Sequence, residues 1–324
     1  MTQKKNISVI GCGHWGKNLI RNFADLGRLH SVSDTNSELG LLLAEKYKVP
    51  FKDFDEIICS NDVYGVVIAA PAIYHSKLAV MAMNAGKHVF VEKPMAMNLA
   101  DAKEMIKVSN TTNSSLMVGH LLQYHPVFKK LRNMAKEDYF GKLKYIYSNR
   151  LSLGKIRSEE DVVLSFSPHD ISMILSLSDS EPISLKRDSI SILQNGIDDV
   201  ARINIEFADG VTSDINVSWI NPVKEQKLVI VGEKGMGVFD DTLEWNKKLM
   251  TLKYKIDLGN FSISKDEIKY IKVNESEPLR EECSSFCDVV DGKAKPLTNG
   301  LEGYKVLSIL QAAEKAKSGK RITI

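Results

Sequence analysis

The stretch NISVIGCGHWGKNLIRNFADLG, residues Asn6 to Gly27, decides how the rest of the chain is read. Ile7, Val9 and Ile10 form a short β-branched run of the kind a buried parallel strand prefers. Gly11, Gly13 and Gly16 follow in a GxGxxG pattern, and Trp15, Leu19, Ile20 and Phe23 then recur at helical spacing until Gly27 ends the run. The reading is strand, turn, helix. In that setting Gly11 permits the tight turn, Gly13 lets the backbone approach a pyrophosphate, and Gly16 lets helix and strand pack closely. A helix N-terminus presents unpaired N–H groups to the phosphates. The next run, LHSVSD, ends in Asp34, 18 positions after Gly16, where a ribose-binding carboxylate belongs. A turn that served packing alone would need neither the second strand nor its acid. The cofactor expected is NAD, held by Gly11, Gly13, His14, Trp15, Gly16 and Asp34. Asp34 would repel the 2′-phosphate of NADP, and Thr35 and Asn36 supply no arginine to offset it.

Working outward, 324 residues at 44% hydrophobic composition suffice for about two domains with a large core. The formal charge of +2, from 43 basic and 41 acidic residues, gives no global attraction to nucleic acid or to a membrane surface. No apolar run reaches the ~18 residues of a spanning helix, and the first residues lack a signal-peptide core, so the expected location is cytoplasmic. Cys12, Cys59, Cys283 and Cys287 are too few and scattered for a disulfide framework, and two thiols without histidine make a poor zinc site. They read as structural and no metal is expected, while Cys12, inside the glycine turn, is expected to be open to alkylation.

Strand and helix signals alternate through the first 120 residues, with strands near Val49–Phe51, Gly65–Ala70, His88–Val91 and Ser115–Gly119. This predicts a doubly wound parallel sheet of Rossmann type, residues 1–120, binding NAD. From LKYIYSNRLSL onward the pattern changes to strands joined by short Gly or Asp-Gly turns. Residues 121–324 are therefore expected to form an α+β domain with a large, mostly antiparallel open sheet that binds substrate and mediates oligomerisation. A helix beginning at Pro168 and two more, near Leu279–Val290 and Leu301–Lys317, are expected to cover that sheet. With no flexible linker near His120–Pro126, the two domains are expected to share a cleft.

Two short segments lie at the carboxyl ends of the parallel strands, where ligands bind in such folds. In IAAPAIYH, the residues Ala70, Pro71, Tyr74 and His75 are expected along the nicotinamide half of the cofactor. In FVEKPMAMN, Glu92 and Lys93 directly follow a strand; a buried strand ends in such a pair only where a polar site receives it. Oxidation of an alcohol by NAD+ needs a group to take the hydroxyl proton. A lysine partly desolvated beside a positive nicotinamide has its pKa lowered toward that task, and a histidine already titrates near neutrality. His169, in SFSPHDISMIL, is the histidine available beyond the first domain, although a Pro-His-Asp sequence is more often a helix cap.

VIGCGHWGKN, AAPAIYH, VEKPMAMN and GLEGYKVLSILQAAEKAKSGK together resemble the glucose-fructose oxidoreductase / inositol dehydrogenase / MocA family of NAD(P)-dependent sugar oxidoreductases, over nearly the whole chain. The resemblance implies that Lys93 is catalytic, contacting the reacting hydroxyl, with His169 as its partner; which of the two is the base stays open. Many members carry an Asp four residues before that histidine, where this chain has Ser165; its Asp170 lies one residue after, so no Asp-His relay is assigned. GHLLQYHPVFKKL, YIYSNRLSLGKIR and FSPHDISMIL look like the nucleotide-sugar branch, which implies a UDP-N-acetylhexosaminuronate oxidised at C3 and a keto sugar passed to an aminotransferase. Arg150, Lys155 and Arg157 suit a pyrophosphate and a carboxylate, and Tyr124 with Asp170 completes the expected substrate contacts. A solvated strand face explains the same cations equally well, and Tyr124 or the neighbouring His125 serves packing as readily as a sugar. UDP-N-acetylglucosamine, a free polyol, or a regulator without catalysis are the alternatives. Related enzymes associate sheet to sheet, so a homodimer or tetramer is expected.

Overall fold

A computed structural model describes residues 5–154, 156–178, 180–317 and 319–324; Lys155 lies outside them. Two compact units emerge. One comprises the chain up to Tyr124 together with Glu277–Leu307, the other His125–Ser276 and Ser308–Ile324.

The first unit is built on β1 (Asn6–Ile10), β2 (Leu29–Ser33), β3 (Val63–Ile68), β4 (His88–Val91) and β5 (Leu116–Val118), ordered β2-β1-β3-β4-β5. All four pairings are parallel. The helices α1 (Gly16–Asp25), α2 (Ser37–Tyr47), α3 (Phe54–Cys59), α4 (His75–Asn84) and α5 (Leu99–Thr112) connect them. Because the chain turns back on itself between β2 and β3, a crevice opens at the carboxyl ends of β1 and β3. The segment expected as a strand at Val49–Phe51 contributes one isolated bridge, Phe51 to Val32.

In the second unit, α6 (Pro126–Lys136), β6 (Leu143–Leu153) and α7 (Val162–Leu177) lead into β7 (Pro182–Ile190), β8 (Val200–Phe207), β9 (Thr212–Ser218), β10 (Ile220–Gly232), β11 (Gly235–Asp240), β12 (Leu249–Asp257), β13 (Ser262–Lys265) and β14 (Lys269–Tyr270). With β15 (Ile322–Thr323) from the end of the chain, these form one sheet, β13-β12-β11-β10-β6-β9-β8-β7-β15, with β14 beside β12. It is antiparallel apart from β6 with β9. Alternation sorts its faces: Ala201, Ile203, Ile205 and Phe207 of β8 are buried, while Arg202, Asn204 and Glu206 point the other way. α7 packs on β6 and β9. Its start corrects the expected one. Asp161 caps the helix by accepting N–H bonds from Val163 and Leu164, so Pro168 and His169 lie inside it.

The chain then returns through α8 (Pro278–Val290) and α9 (Gly300–Lys315), and β15 (Ile322–Thr323) closes the large sheet's edge. Here the expectation that the helices near Leu279–Val290 and Leu301–Lys317 cover the antiparallel sheet fails for α8 and for α9 as far as Leu307, which belong to the first unit, while the rest of α9 belongs to the second. Leu279, Cys283, Phe286 and Val290 of α8 share a core with Ile7, Phe23 and Phe90 of the parallel sheet. Phe286 meets Phe90 edge-on at 5.6 Å. Gly303 of α9 lies so close to Met95 and Val118 that a Cβ there would come within 2.7 Å of both.

Candidate active site

The three glycines of the turn differ in what requires them. Gly11 sits at φ +99°, and a Cβ on it would lie 2.6 Å from the Ala69 carbonyl group. A Cβ on Gly16 would be 1.9 Å from the Gly11 carbonyl oxygen. Gly13 has no atom within 4 Å of that position and no positive φ. Nothing among the described residues asks for glycine there, and the open space suits backbone meeting a ligand. Asp34 closes the crevice edge, accepting N–H bonds from Cys12 at 2.5 Å and Asn36 at 2.8 Å. Cys12 itself is buried, its thiol pushed up to about 12 by burial and by Asp34. The expected alkylation is corrected accordingly, since a buried thiol is not a reactive thiolate.

Trp15 joins this turn to the end of β4: its indole N–H donates to Glu92 Oε1 at 2.6 Å. The Lys93 backbone N–H donates to Glu92 Oε2 at 3.3 Å. Burial lifts the Glu92 carboxyl to about 7 against the opposing influence of Trp15, Lys93 and His120. Lys93 is half-buried and enters Pro94 through a cis peptide bond. His14, Trp15, Pro71 and Tyr74 are exposed and Ala70 half-buried, so their side chains or backbone remain accessible to a cofactor.

His75 departs from expectation. It is 1% exposed, with one ring nitrogen 2.8 Å from the Pro94 carbonyl oxygen and the other 2.8 Å from that of Ala70. A neutral ring donates to one of them, and burial lowers its pKa. The residue braces the two loops rather than facing a ligand. Tyr124 is likewise buried, its hydroxyl 2.9 Å from that of Thr298. It packs in the core instead of contacting a sugar. His125 is buried too, stacked on Trp245 and 3.2 Å from Asp241 Oδ1.

On the second unit, His169 is half-buried in mid-α7, with Ser165 buried one turn earlier. The expected trio of cations is not an open cluster. Arg150 is clasped by Asp170 through two bonds, 2.5 and 3.3 Å long, with both side chains largely buried. Arg157 pairs with Glu160 at 3.1 Å. Both charges already have a partner, so Asp170 serves Arg150 before any substrate.

Three groups of the first unit were not foreseen as site residues. His120 Nδ1 lies 2.7 Å from Glu302 Oε2, and Glu282 of α8 is wholly buried. The signal for Glu282 was present in PLREECSSF, where an acid sits within the apolar stripe Leu279–Cys283–Phe286.

Comparison with known proteins accounts for this arrangement. The oxidoreductase family with the NAD-binding Rossmann fold, GFO/IDH/MocA, matches residues 5–120, and the GFO/IDH/MocA C-terminal domain matches 128–238. The chain belongs to the GFO/IDH/MocA family. Like the family, it is an NAD-dependent oxidoreductase, and the glycine turn with Asp34 fits that cofactor. UDP-N-acetylglucosamine 3-dehydrogenase of Acidithiobacillus ferrooxidans is 28% identical over 192 residues, 59% of this chain and 59% of that relative's length. Myo-inositol 2-dehydrogenase of Thermotoga maritima is 25% identical, covering 97% of each chain. The WlbA dehydrogenase of Bordetella pertussis, solved in complex with NADH and UDP-GlcNAcA, has the same GFO/IDH/MocA fold, with a TM-score of 0.80, 21% identity and 99% of each chain covered. No helix among the described residues is long and apolar enough to cross a membrane.

Proposed function

We propose that the chain oxidises the C3 hydroxyl of UDP-N-acetyl-D-glucosaminuronate to the 3-keto sugar, for use by an aminotransferase in nucleotide-sugar biosynthesis. The observation that carries the reading is the Trp15–Glu92 bond. It fixes the lysine that follows Glu92 to the glycine turn of the nucleotide site. NAD+ supplies the hydride acceptor. Lys93 receives the hydroxyl proton, with His169 as the second proton-transfer group. Glu92 and the His75 brace hold the loop carrying Lys93 in register, while Gly13 admits the pyrophosphate. The sugar's anomeric UDP and its C3 chemistry follow the relatives named above.

The non-oxidised UDP-N-acetylglucosamine is the second reading, favoured by a specific observation: Arg150 and Arg157 are already neutralised by Asp170 and Glu160, which removes two cations that a uronate would use. The reading also includes association of copies through the open face of the large sheet. That face carries a polar network in which Tyr145, Arg202 and Asn204 all donate to Asp214.

A single-turnover assay separates the substrates. Enzyme stripped of cofactor and given NAD+ with either sugar nucleotide is expected to form NADH and a 3-keto product with the uronate; reaction with UDP-N-acetylglucosamine alone selects the second reading. Lys93→Met is expected to slow that turnover by ~100-fold or more with NADH affinity retained. A near wild-type rate in this variant refutes the catalytic assignment.

A further inference from the structure

Glu282 occupies a position where helical geometry calls for leucine. It lies three residues after Leu279 and four before Phe286, on the stripe of α8 that packs into the first unit's core. It is 0% exposed, and neither carboxyl oxygen has a hydrogen-bond partner among the described residues. The groups packed around it are few. α8 packs on the turn Leu121–Tyr124 and on β4, and Glu282 interacts electrostatically with the Tyr124 phenol, the Cys283 thiol and Glu92. On α1 the cation Arg21 is paired with Glu277. Glu92 in turn faces the Trp15 indole, Lys93 and His120, the last held by Glu302. Half-buried Glu92 and fully buried Glu282 thus interact electrostatically, and among the described residues no cation is paired with Glu282. Like charges in such a setting do not ionise together, and the pair titrates as a unit.

We propose that Glu92 and Glu282 form a proton store coupled to the nicotinamide, holding more protons when NADH is bound than when NAD+ is bound. The proposal rests on the dehydrogenase reading and on Glu92 following β4 at the carboxyl edge of the sheet, where the nicotinamide half of the cofactor lies in this fold. The ring is positive in NAD+ and neutral in NADH. A positive neighbour favours ionised Glu92, and its loss favours the protonated acid. Burial pushes both carboxyls up, Glu92 to about 7, which puts the exchange within reach at neutral pH. The balance closes. When the sugar is oxidised its C–H bond breaks with the electron pair passing to the ring, and its O–H bond breaks to yield a proton. The two carboxyls retain that proton, which would otherwise pass to solvent. The store therefore stabilises the reduced complex at the moment it forms.

Calorimetric titration of NAD+ and of NADH into the full-length protein at pH 7, each in phosphate and in Tris, counts the protons taken up on binding and needs no sugar substrate. NADH is expected to bring in more protons than NAD+, with the difference reduced or abolished in Glu92→Gln and in Glu282→Gln. Glutamine keeps the shape and the neutral charge of a protonated acid, and thermal unfolding checks that each variant folds. Wild-type protein provides a measurement independent of any variant: the ratio of NADH to NAD+ affinity is expected to fall as pH rises from 6 to 8, by up to ~10-fold per pH unit for one linked proton. Equal proton counts for the two cofactors, a flat ratio, or a difference undiminished in Glu282→Gln each overturns the store. None of these outcomes depends on which sugar is oxidised, so the functional reading stands or falls separately.

Discussion

Arg187 in the second unit and Glu282 in the first are both sealed from solvent, yet their surroundings are opposite. Around Arg187 the chain gathers Asp161, Asp198 and Glu314, with Lys317 close behind. Burial alone would raise Asp198; bonds from Ser189 and Ser191 and the Arg187 charge hold it below the ordinary carboxylate range instead. Around Glu282 the chain gathers Leu279, Cys283 and Phe286. Desolvating an ion is costly, and a set of opposite charges in good geometry recovers the cost. A buried acid without such a set resists ionisation, and a leucine in its place would add more to stability. The difference separates charges that hold structure together from one whose presence calls for a functional account.

Removing the cation gives the largest expected effect. Arg187→Met leaves Asp161 and Asp198 buried without their partner and takes support from the cap of α7, at a loss of about 3–5 kcal/mol in urea unfolding. A loss under about 1 kcal/mol would mean that Lys317 replaces Arg187 and that the two regions are less different than they look. Glu282→Leu is expected to act in the other direction, raising stability by about 1–3 kcal/mol near pH 8. The sign follows from its raised pKa. In the unfolded chain the carboxyl ionises near its ordinary value, whereas burial in the folded protein shifts its ionisation to higher pH, so folding loses ground as pH rises above about 4.5. Glu92 adds a like loss between about 4.5 and about 7. The leucine variant should therefore gain little at pH 5 and most at pH 8; a gain independent of pH would attribute it to packing alone. Gly13→Ala is the smallest change, within about 0.5 kcal/mol in stability, because its Cβ meets nothing among the described residues. It is expected to weaken NADH binding nonetheless. Destabilisation as severe as that of Gly16→Ala would show that Gly13 serves the fold.

Local patterns carried the nucleotide half of the molecule. β1, the glycine turn, α1 and Asp34 are neighbours in sequence, and their spacing alone dictates strand, turn, helix and acid. The alternation of β8 is legible for the same reason. The misreadings have nonlocal causes. Pro168 looked like a helix start because proline is favoured in a first turn, but the Asp161 cap comes seven residues earlier and overrides it. Tyr124 gives no local sign that Thr298, 174 residues away, buries its hydroxyl. α8 has an apolar stripe that predicts burial without naming the surface it meets, so its return to the parallel sheet was hidden. Arg150 looked available to a substrate because Asp170, 20 residues on, is brought to it only by α7 lying across β6.

The return of α8 also fixes an order of events during synthesis. The nucleotide unit lacks one wall until Glu277–Leu307 has been made, and the 152 residues from His125 to Ser276 intervene. At roughly 5–20 residues per second the ribosome needs on the order of ten to thirty seconds to cross that interval. Throughout it the Phe23 and Phe90 surface that Phe286 finally covers is open to solvent and to chaperones. Most of the second unit is therefore made before the first is complete, with Ser308–Ile324 still to follow, and the helix bearing Glu282 arrives as the piece that closes the nucleotide unit.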